Sequence, residues 1–462
     1  MSEKVKKEIE ELEHKKVAIL GAGTSGIWAS FLLAGKCKSI LLSEIKQKIF
    51  DNAELKSLIN AGVKIETGGH SDEVLKSDLV IVSPGISSDS DIIKKIKSRK
   101  IEIISEIELA YWFSYKHKII AVTGSNGKST TTYLLYQILS KAGYNVYYGG
   151  NIGIPYSKIV KNGDTFNDDT IIVLEISSFQ LEYIKHFKPF ICIVMNITPD
   201  HIDRHKTFNN YIRAKLNIYK NQDKNDYYIY NDDDPILKER LPSKPNIIPF
   251  SIHKNTGSPI IFENDTFITI DKVKIAERKD FRLPGEHNTY NLLASLNAYM
   301  VISNSRKHLK KIIMTLTGLK HRMEYVDSIK GVKFYNDSKA TNIDSVKYAI
   351  RGLDKPIILI LGGKDKGANF EELKPIIKGK VKKIIAIGEC KSKITNIFKE
   401  YIPCKEAISM FDAVIGGFLS ADKGNIVLLS PACASFDMYK NFEERGNDFI
   451  NCVKILKSMY AK

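Results

Sequence analysis

The chain has 462 residues, more than one hydrophobic core usually supports, so we expect two or three domains. Its composition, 43% hydrophobic and 26% charged, is typical of a folded globular protein. No apolar run approaches the ~20 residues that a membrane-spanning helix needs, and the N-terminus lacks the apolar stretch of a signal peptide. We therefore expect a cytoplasmic protein.

The net charge of +16 invites a nucleic-acid interpretation. The lysines are spread along the whole chain, however, without a dense basic cluster that contains interleaved aromatic residues. We interpret the charge as a lysine-rich surface and expect no nucleic-acid partner, although a multiply anionic substrate would also suit it. The six cysteines lie far apart without a CxxC pair, which argues against a zinc site or a disulfide framework.

Three blocks of sequence each alternate short β-branched runs with amphipathic stretches, a pattern typical of α/β domains with largely parallel sheets. We place the domains at residues 1–107, 108–318 and 319–462. The opening MSEKVKKEIEELEHKK is interpreted as a solvated helix or a frayed leader. The strands predicted in the first two blocks cover residues 17–20, 39–44, 78–85, 101–104, 119–122 and 171–178. A helix is predicted near residues 211–219, followed by an irregular β-rich stretch at 225–282.

The segment TGSNGKST, Thr123 to Thr130, joins a predicted strand to a helix. Its glycines let successive backbone N–H groups converge on phosphate oxygens, and the helix N-terminus adds partial positive charge. Lys128 can reach the outer phosphates, and the Ser129 hydroxyl is placed to bind Mg²⁺. Val122 stands where the general phosphate-loop pattern has an early glycine, so the general pattern is incomplete.

Polar residues follow the next two predicted strands. Glu175 lies within the apolar run IIVLEISS, where a carboxylate is costly unless it is paired or metal-bound. Because the phosphate loop places Mg²⁺ nearby, we interpret Glu175 as a metal ligand, and an ordinary ion pair is the alternative. TPDHIDRH, with Asp200 and His201, ends the following strand and should face the ligand crevice. A zinc hydrolase is an alternative for such a cluster, but the neighbouring phosphate loop favours Mg²⁺. By its spacing alone, Lys215 is a surface lysine with an apolar stem.

GAGTSG follows the first predicted strand, and Glu44 ends the second. This spacing is typical of a dinucleotide fingerprint whose acidic residue contacts a ribose. It is compatible with an oxidoreductase, and equally with a site for the pyrophosphate of a nucleotide sugar. Two phosphate sites in one chain suggest one for ATP and one for a nucleotide-linked substrate.

Taken in order, the motifs resemble those of the Mur ligases from about Val17 to the C-terminus. TGSNGKST, the strand with Glu175 and GLKHR are similar to the family as a whole. NDSKATN and SPACASFDMYKNF are most similar to the subfamily that adds D-glutamate. The resemblance implies an α/β protein with a Rossmann-like N-terminal domain, a central P-loop ATPase-type domain and a Rossmann-like C-terminal domain.

The implied reaction joins D-glutamate to UDP-MurNAc-L-Ala through an acyl phosphate and makes a peptidoglycan precursor. The resemblance also implies ATP, two Mg²⁺ ions and a carbamylated Lys215, and it implies a monomer. The resemblance implies catalytic roles for Lys128, Asn151, His201 and Lys215. It implies metal ligands at Ser129, Glu175, His201 and Lys215. ATP contacts are implied at Gly124, Ser125, Asn126, Gly127, Lys128, Ser129, Thr130, Asn291, Arg322 and Asp337. Contacts to the UDP substrate are implied at Ser25, Gly26, Glu44, Lys46, Ser83 and Gly85, and contacts to D-glutamate at Lys339, Thr341, Lys366, Ser435 and Phe442.

One departure concerns the uridine end of the site, where the family often has Asp-Thr-Arg and this chain has Glu44-Ile45-Lys46. The charges are kept, but lysine lacks the planar fork of arginine. The alternatives are another Mur-type or folylpolyglutamate-type amino-acid ligase, a nucleotide-dependent oxidoreductase, or a non-catalytic nucleotide-binding regulator. TGSNGKST with Glu175 argues against the oxidoreductase, and the set Lys128, Glu175 and Lys215 argues against a regulator.

Overall fold

The computed structural model describes residues 2–47, 53–303, 305–365 and 367–460. These residues form two compact units. The first contains residues 1–282 and 287–316, and the second contains residues 283–286 and 317–462. None of the described helices combines the length and apolarity needed to span a membrane.

The N-terminal part of the first unit is a parallel five-stranded sheet with the order β3-β2-β1-β4-β5, flanked by helices. This order matches the first five strands of the doubly wound dinucleotide-binding fold, whose full order is 3-2-1-4-5-6. Its strands are β1 (Lys16–Leu20), β2 (Ser39–Glu44), β3 (Lys64–Thr67), β4 (Leu79–Val82) and β5 (Glu102–Ser105). Its helices are α1 (Ser2–Leu12), α2 (Thr24–Leu33), α3 (Ala53–Asn60), α4 (Asp91–Ser98) and α5 (Glu106–Trp112).

The central part of the same unit contains a parallel six-stranded sheet, with the order β11-β10-β9-β6-β8-β7, and a small antiparallel sheet of β12, β13 and β14. The strands are β6 (Lys118–Thr123), β7 (Val146–Gly150), β8 (Ile171–Glu175), β9 (Ile191–Val194), β10 (Tyr227–Asn231), β11 (Asn246–Phe250), β12 (Ile260–Glu263), β13 (Thr266–Thr269) and β14 (Lys274–Glu277). The helices are α6 (Lys128–Lys141), α7 (Tyr156–Lys161), α8 (Ile202–His205), α9 (Phe208–Leu216), α10 (Pro235–Lys238), α11 (Glu286–Ser303) and α12 (Leu309–Met314).

The second unit is a six-stranded sheet with the order β15-β16-β20-β17-β18-β19, in which only the β15–β16 pair is antiparallel. Apolar clusters cover both of its faces. The strands are β15 (Glu324–Ile329), β16 (Val332–Asn336), β17 (Ile357–Gly362), β18 (Val381–Ile387), β19 (Cys404–Glu406) and β20 (Ile426–Leu429). The helices are α13 (Ile343–Arg351), α14 (Lys374–Ile377), α15 (Lys391–Phe398), α16 (Met410–Leu419) and α17 (Phe442–Tyr460).

The strands that carry the motifs are buried along almost their whole length. β6, β8 and β9 expose only Lys118 at the start of β6, because a parallel sheet between two helical layers is covered on both faces. β6 lies between β8 and β9, so the carboxyl ends of these three strands meet at one edge. The α/β fold with largely parallel sheets is therefore confirmed, and the phosphate-loop segment leaves the middle of the central sheet.

Two local features differ from the sequence expectation. The N-terminal helix α1 is packed rather than solvated, since Val5 and Leu12 are fully buried and Glu8 pairs with Lys185. The strand β3 had no sequence signal because it is an edge strand whose side chains are only partly buried, so it has no continuous apolar run.

Candidate active site

The phosphate-loop segment has the backbone shape that its glycines permit. Gly124 and Gly127 adopt φ values of 146° and 83°, and α6 begins directly after Gly127. A Cβ atom on Gly127 would lie 2.5 Å from the Asn291 side-chain oxygen. The structure therefore brings Asn291, predicted as an ATP contact, against the phosphate loop, and a larger residue at position 127 would separate them.

The segment after β9 fixes the middle of this loop. The Asn126 N–H donates to Oδ1 of Asn196 at 2.8 Å, and the Ser125 N–H donates to the Asn196 carbonyl at 2.9 Å. Ser125 Oγ donates to the Thr198 carbonyl and lies 2.8 Å from the Tyr211 hydroxyl. Asn196 and Tyr211 were not among the predicted site residues, because only the tertiary fold brings their segments to the loop.

Lys128 projects back over the loop. Its Nζ donates to the carbonyls of Gly124 and Ser125 at 2.7 and 2.8 Å. Ser129 is buried, and Thr130 is half-buried on the same first turn of α6. The loop thus gathers a lysine, a buried hydroxyl and a helix N-terminus at one edge of the sheet, which is the chemistry that an anionic phosphate chain requires.

Lys215 is buried beside the same loop, contrary to the surface position that its spacing alone suggests. Thr207 caps α9 by accepting a hydrogen bond from the Asn210 N–H, and the helix carries Lys215 inward until only 2% of it is exposed. Its Nζ donates to the Gly124 carbonyl at 2.7 Å and lies 4.7 Å from the centre of the Tyr211 ring. Burial lowers the pKa of the amine well below its usual range. The charge of Lys128 lowers this pKa further, while Asp200 and Glu175 raise it.

Glu175 ends β8 and is 3% exposed. Asn151 Nδ2 donates to its Oε1 at 2.7 Å, while its Oε2 is buried without a hydrogen-bond partner. A buried carboxylate oxygen with no donor is costly, and a cation would satisfy it. A carboxylate and a hydroxyl near a phosphate site are the oxygen ligands that Mg²⁺ prefers, so these residues fit a magnesium ion.

His201 has a left-handed backbone with φ of 52°, and its side chain is half-exposed. Its N–H donates to Oδ1 of Asp200, and its Nε2 lies 3.4 Å from Oδ2 of the same residue. Its ring centre is 5.0 Å from that of Phe179. The described residues contain no group of three or more His, Cys, Asp or Glu side chains poised around a metal. The metal set Ser129, Glu175, His201 and Lys215 stays a prediction, and water or phosphate oxygens would have to complete it.

The glycine-rich loop of the N-terminal sheet is tightly constrained. A Cβ atom on Gly26 would lie 1.9 Å from the Gly21 carbonyl oxygen, which excludes any side chain there. Ser83 Oγ donates to the same carbonyl at 3.2 Å. Ser25 is half-buried, whereas Lys46 and Gly85 are exposed.

The carboxylate of Glu44 accepts hydrogen bonds from backbone N–H groups of two neighbouring loops. Its Oε2 accepts a hydrogen bond from the Ala22 N–H at 2.8 Å, and its Oε1 accepts one from the Lys46 N–H at 3.0 Å. Only 8% of the residue is exposed. In this structure the acid shapes the glycine loop, so its predicted contact with a ribose requires that one of these bonds be shared or exchanged.

In the second unit, Asp337 lies directly after β16 and is 4% exposed. Oδ2 accepts a hydrogen bond from Ser430 Oγ at 2.8 Å, and Oδ1 accepts one from the Met323 N–H. Burial raises the pKa of this carboxyl to about 7, against these bonds and the charge of Arg322, which lower it. Arg322 itself is half-buried.

The described residues among those predicted to bind D-glutamate lie in a loop cluster, which hydrogen bonds build from the segments after β16 and β20 and the start of α17. Lys339 Nζ is 5.6 Å from the centre of the Phe442 ring. Thr341 is exposed, Ser435 is buried, and Lys366 lies outside the described residues.

Arg445 organises this cluster but was not predicted. It is 2% exposed and donates to Ser338 Oγ, to the Ser338 carbonyl and to the carbonyls of Cys433 and Ala434. Burial lowers its pKa to about 10. It holds the NDSKATN and SPACAS loops together, a role that its position in the motif NFEERG does not reveal.

Comparisons with known proteins identify the family of this chain. Residues 15–105 match the N-terminal domain model described as Mur ligase MurD-like, residues 122–299 match the Mur ligase middle domain, and residues 321–433 match the Mur ligase glutamate ligase domain. The UDP-N-acetylmuramoylalanine–D-glutamate ligase of Caldanaerobacter subterraneus subsp. tengcongensis is 42% identical over 97% of this chain and 100% of its own. The ligase of the same name from Clostridioides difficile is 40% identical over the same shares.

Among solved structures, the UDP-N-acetylmuramate–alanine ligase of Thermotoga maritima covers 96% of this chain and 100% of its own, with a TM-score of 0.58. Its 16% identity supports the fold alone. The family models and the curated relatives together establish the family of this chain. The chain belongs to the Mur ligase family.

Proposed function

We propose that this chain is an ATP-dependent ligase that adds D-glutamate to UDP-N-acetylmuramoyl-L-alanine and so makes a peptidoglycan precursor. Identity of about 40% over nearly the whole chain to ligases of that name supports the choice of substrates. The observation that carries the chemistry is the convergence of Lys128, Lys215 and Asn291 on the phosphate loop, beside the carboxyl end of the strand with Glu175.

The first step activates a poor acylating agent. A carboxylate oxygen of UDP-N-acetylmuramoyl-L-alanine attacks the γ-phosphorus of ATP, the bond to the bridging oxygen breaks, and ADP leaves. Positioning and charge neutralisation dominate such a transfer. In this proposal Lys128 exchanges its loop carbonyls for the phosphates. Ser129 and Glu175 would hold Mg²⁺, whose chemistry there is to neutralise charge on the phosphate oxygens.

The second step forms the amide. The neutral amine of D-glutamate attacks the acyl carbon, inorganic phosphate leaves, and the amine loses a proton. We place the amino acid beside Lys339, Thr341, Ser435 and Phe442, and we propose Lys366 as a further contact, because lysines suit a dicarboxylate. We place Arg322 and Asp337 on ATP, and Asn151 and His201 beside the reacting carboxylate.

We further propose that Lys215 works as a carbamate. Burial and the neighbouring Lys128 favour its neutral amine, which is the form that attacks CO₂. The amine nitrogen forms a bond to carbon, and one proton is released. The product is an anion next to a site that needs negative charge for its cation, whereas an ammonium would repel the metal.

The six cysteines are all free, which supports a reducing compartment such as the cytoplasm.

Phosphate release tests the function directly. The purified chain is given ATP and Mg²⁺ with a panel of UDP-muramoyl acceptors and amino acids. We expect turnover only with UDP-N-acetylmuramoyl-L-alanine and D-glutamate together. Equal turnover with L-glutamate, or with UDP-N-acetylmuramate and L-alanine, would contradict the proposed substrates.

A further inference from the structure

Arg204 connects two candidate site segments. It lies in α8, three residues after His201 in the motif DHIDR. Its Nη1 donates to the Pro84 carbonyl and its Nη2 to the Ile86 carbonyl, both at 2.6 Å. The sequence pattern gave this arginine no role.

The loop that Arg204 grips is the predicted contact loop for the UDP substrate, residues 83–86. The loop closes on itself through the Ile86 N–H, which donates to the Ser83 carbonyl at 3.0 Å. Ser83 Oγ in turn donates to the Gly21 carbonyl of the glycine-rich loop. Arg204 holds the two carbonyls on either side of the exposed Gly85, so its guanidinium fixes the one stretch of this loop that has no side chain to anchor it.

A planar fork suits this task. The guanidinium presents two N–H groups in fixed relative directions, so one side chain can satisfy two carbonyls together. A lysine ammonium is a point donor on a flexible stem and cannot reproduce both directions. The geometry at residue 204 is therefore specific to arginine rather than to positive charge.

The guanidinium of Arg204 also lies over the Phe179 ring. The central guanidinium carbon lies 3.7 Å from the centre of the Phe179 ring. That ring also lies 5.0 Å from His201 and stacks on His205 at 5.2 Å. Phe179 follows the strand that carries Glu175, so this aromatic contact attaches the clamp to the segment where the reacting carboxylate is expected.

We propose that Arg204 is a positioning residue for the UDP-linked substrate. Arg204 holds the substrate loop 83–86 at a fixed position relative to the segment that carries Asp200 and His201. The inference rests on the proposed function for the identity of that substrate. Loss of the clamp frees the loop, and binding must then order it again. The loss therefore weakens the binding and the alignment of the UDP-linked substrate. ATP binding should change little, because the phosphate loop keeps its own contacts to Asn196 and Asn291.

A purely structural role makes a different prediction. If Arg204 only joined parts of the unit, its loss would lower the thermal stability and would weaken the binding of ATP and of the UDP substrate to the same extent. A positioning role instead separates the two substrates. The split between their KM values is thus the decisive measurement, and the thermal midpoint reports any general loss of structure.

The test compares Arg204→Gln and Arg204→Lys with the exposed control Arg213→Gln on α9, which removes the same charge. We expect Arg204→Gln to raise KM for UDP-N-acetylmuramoyl-L-alanine roughly tenfold or more, the scale of one lost charged hydrogen bond, with KM for ATP within about twofold. Calorimetric binding of UDP-N-acetylmuramoyl-L-alanine should weaken in parallel. Arg204→Lys should lose most of the same affinity, and Arg213→Gln should match the wild type.

Unchanged KM for the UDP substrate in Arg204→Lys and Arg204→Gln would overturn the inference. An equal rise of both KM values with a lower thermal midpoint would also overturn it. If Arg204→Gln does not fold, Arg204→Lys, which keeps the charge and the stem, decides the question. Turnover of the wild type on the expected substrates tests the proposed function by itself. A failure of the Arg204 inference would leave that turnover unchanged, so the two failures can be distinguished.

Discussion

Lys128 and Lys215 donate to the same backbone oxygen, the carbonyl of Gly124, each at 2.7 Å. Two ammonium groups on one carbonyl would repel each other in a partly dry site, so the pair favours one neutral amine. Lys215 is the more deeply buried of the two and has the lowered pKa. The shared carbonyl therefore supports the proposal that Lys128 binds phosphate as an ammonium while Lys215 reacts as a neutral amine.

Lys215→Ala is expected to lose nearly all turnover and to regain part of it with added acetate or formate, because a small carboxylate can replace the carbamate. Labelling with ¹³C-bicarbonate provides a readout besides activity, since the wild type should show a carbamate carbon signal that Lys215→Ala lacks. Lys220→Ala, which changes an exposed lysine shortly after α9, serves as the control. Wild-type activity in Lys215→Ala would refute the carbamate proposal.

Lys128→Ala is expected to abolish turnover, with a loss of about 100-fold or more in kcat, because it removes the phosphate-neutralising charge. The fold should persist, because Lys128 is half-buried on the first turn of α6 and is not part of the hydrophobic core. Turnover is measured by phosphate release, and folding by the thermal midpoint. Activity close to that of the wild type would remove the assigned phosphate role.

Glu175→Gln is expected to change turnover and thermal stability in different ways. It keeps the acceptor for Asn151 but replaces the carboxylate oxygen that has no partner. We expect a thermal midpoint equal to or above that of the wild type in the absence of Mg²⁺, because a costly buried charge is removed. Turnover at saturating Mg²⁺ should fall by about 100-fold or more.

The matched control for this change is Glu239→Gln at an exposed position in the same part of the chain. It should alter neither quantity. Full Mg²⁺-dependent turnover in Glu175→Gln would show that Glu175 is not a metal ligand.

Asp337 should make the second unit less stable as pH rises. Its pKa is about 7 when folded and 3.8 for the free group, so the folded state binds the proton more tightly. This contribution to stability is full below about pH 4 and is lost as pH rises through about 7. Asp337→Asn should remove that part of the pH dependence, since Ser430 can rotate its hydroxyl to accept from the amide.

Urea unfolding at pH 5 and pH 8 measures this effect. The urea midpoint of the wild type should fall more between the two values than that of Asp337→Asn. The exposed substitution Asp354→Asn should leave the difference unchanged. Identical pH dependence in the wild type and in Asp337→Asn would mean that the carboxyl is ionised throughout this range.

Gly26→Ala should disrupt the glycine-rich loop, because its Cβ would overlap the Gly21 carbonyl oxygen. Overpacking of this kind costs about 1–3 kcal/mol, and the backbone contact places this case at the upper end. Gly23→Ser in the same loop is the control, since a Cβ there would have nothing within 4 Å and serine is a favourable helix cap. Equal urea midpoints for the two variants would contradict the steric argument.

Most of the buried strands and the phosphate-loop turn can be predicted from the sequence alone. Buried parallel strands are continuous apolar runs, so β1, β2, β4, β6 and β8 could be located to within a few residues. The turn that follows β6 could be predicted from TGSNGKST, because glycine spacing and a helix start are local properties. The edge strand β3 escaped detection, since half-exposed strands lack that run.

Which side chains come into contact depends on the three-dimensional fold. Spacing along α9 leaves Lys215 indistinguishable from a surface lysine, and only the packing of that helix against the phosphate loop buries it and lowers its pKa. Glu44 has the spacing of a ribose ligand, yet the fold brings two backbone N–H groups to its carboxylate. Arg204 and Arg445 each donate to carbonyls more than 100 residues away in sequence, Arg204 to those of Pro84 and Ile86 and Arg445 to that of Ser338. Burial, electric fields and hydrogen-bond partners depend on neighbours distant in sequence, so local patterns cannot supply them.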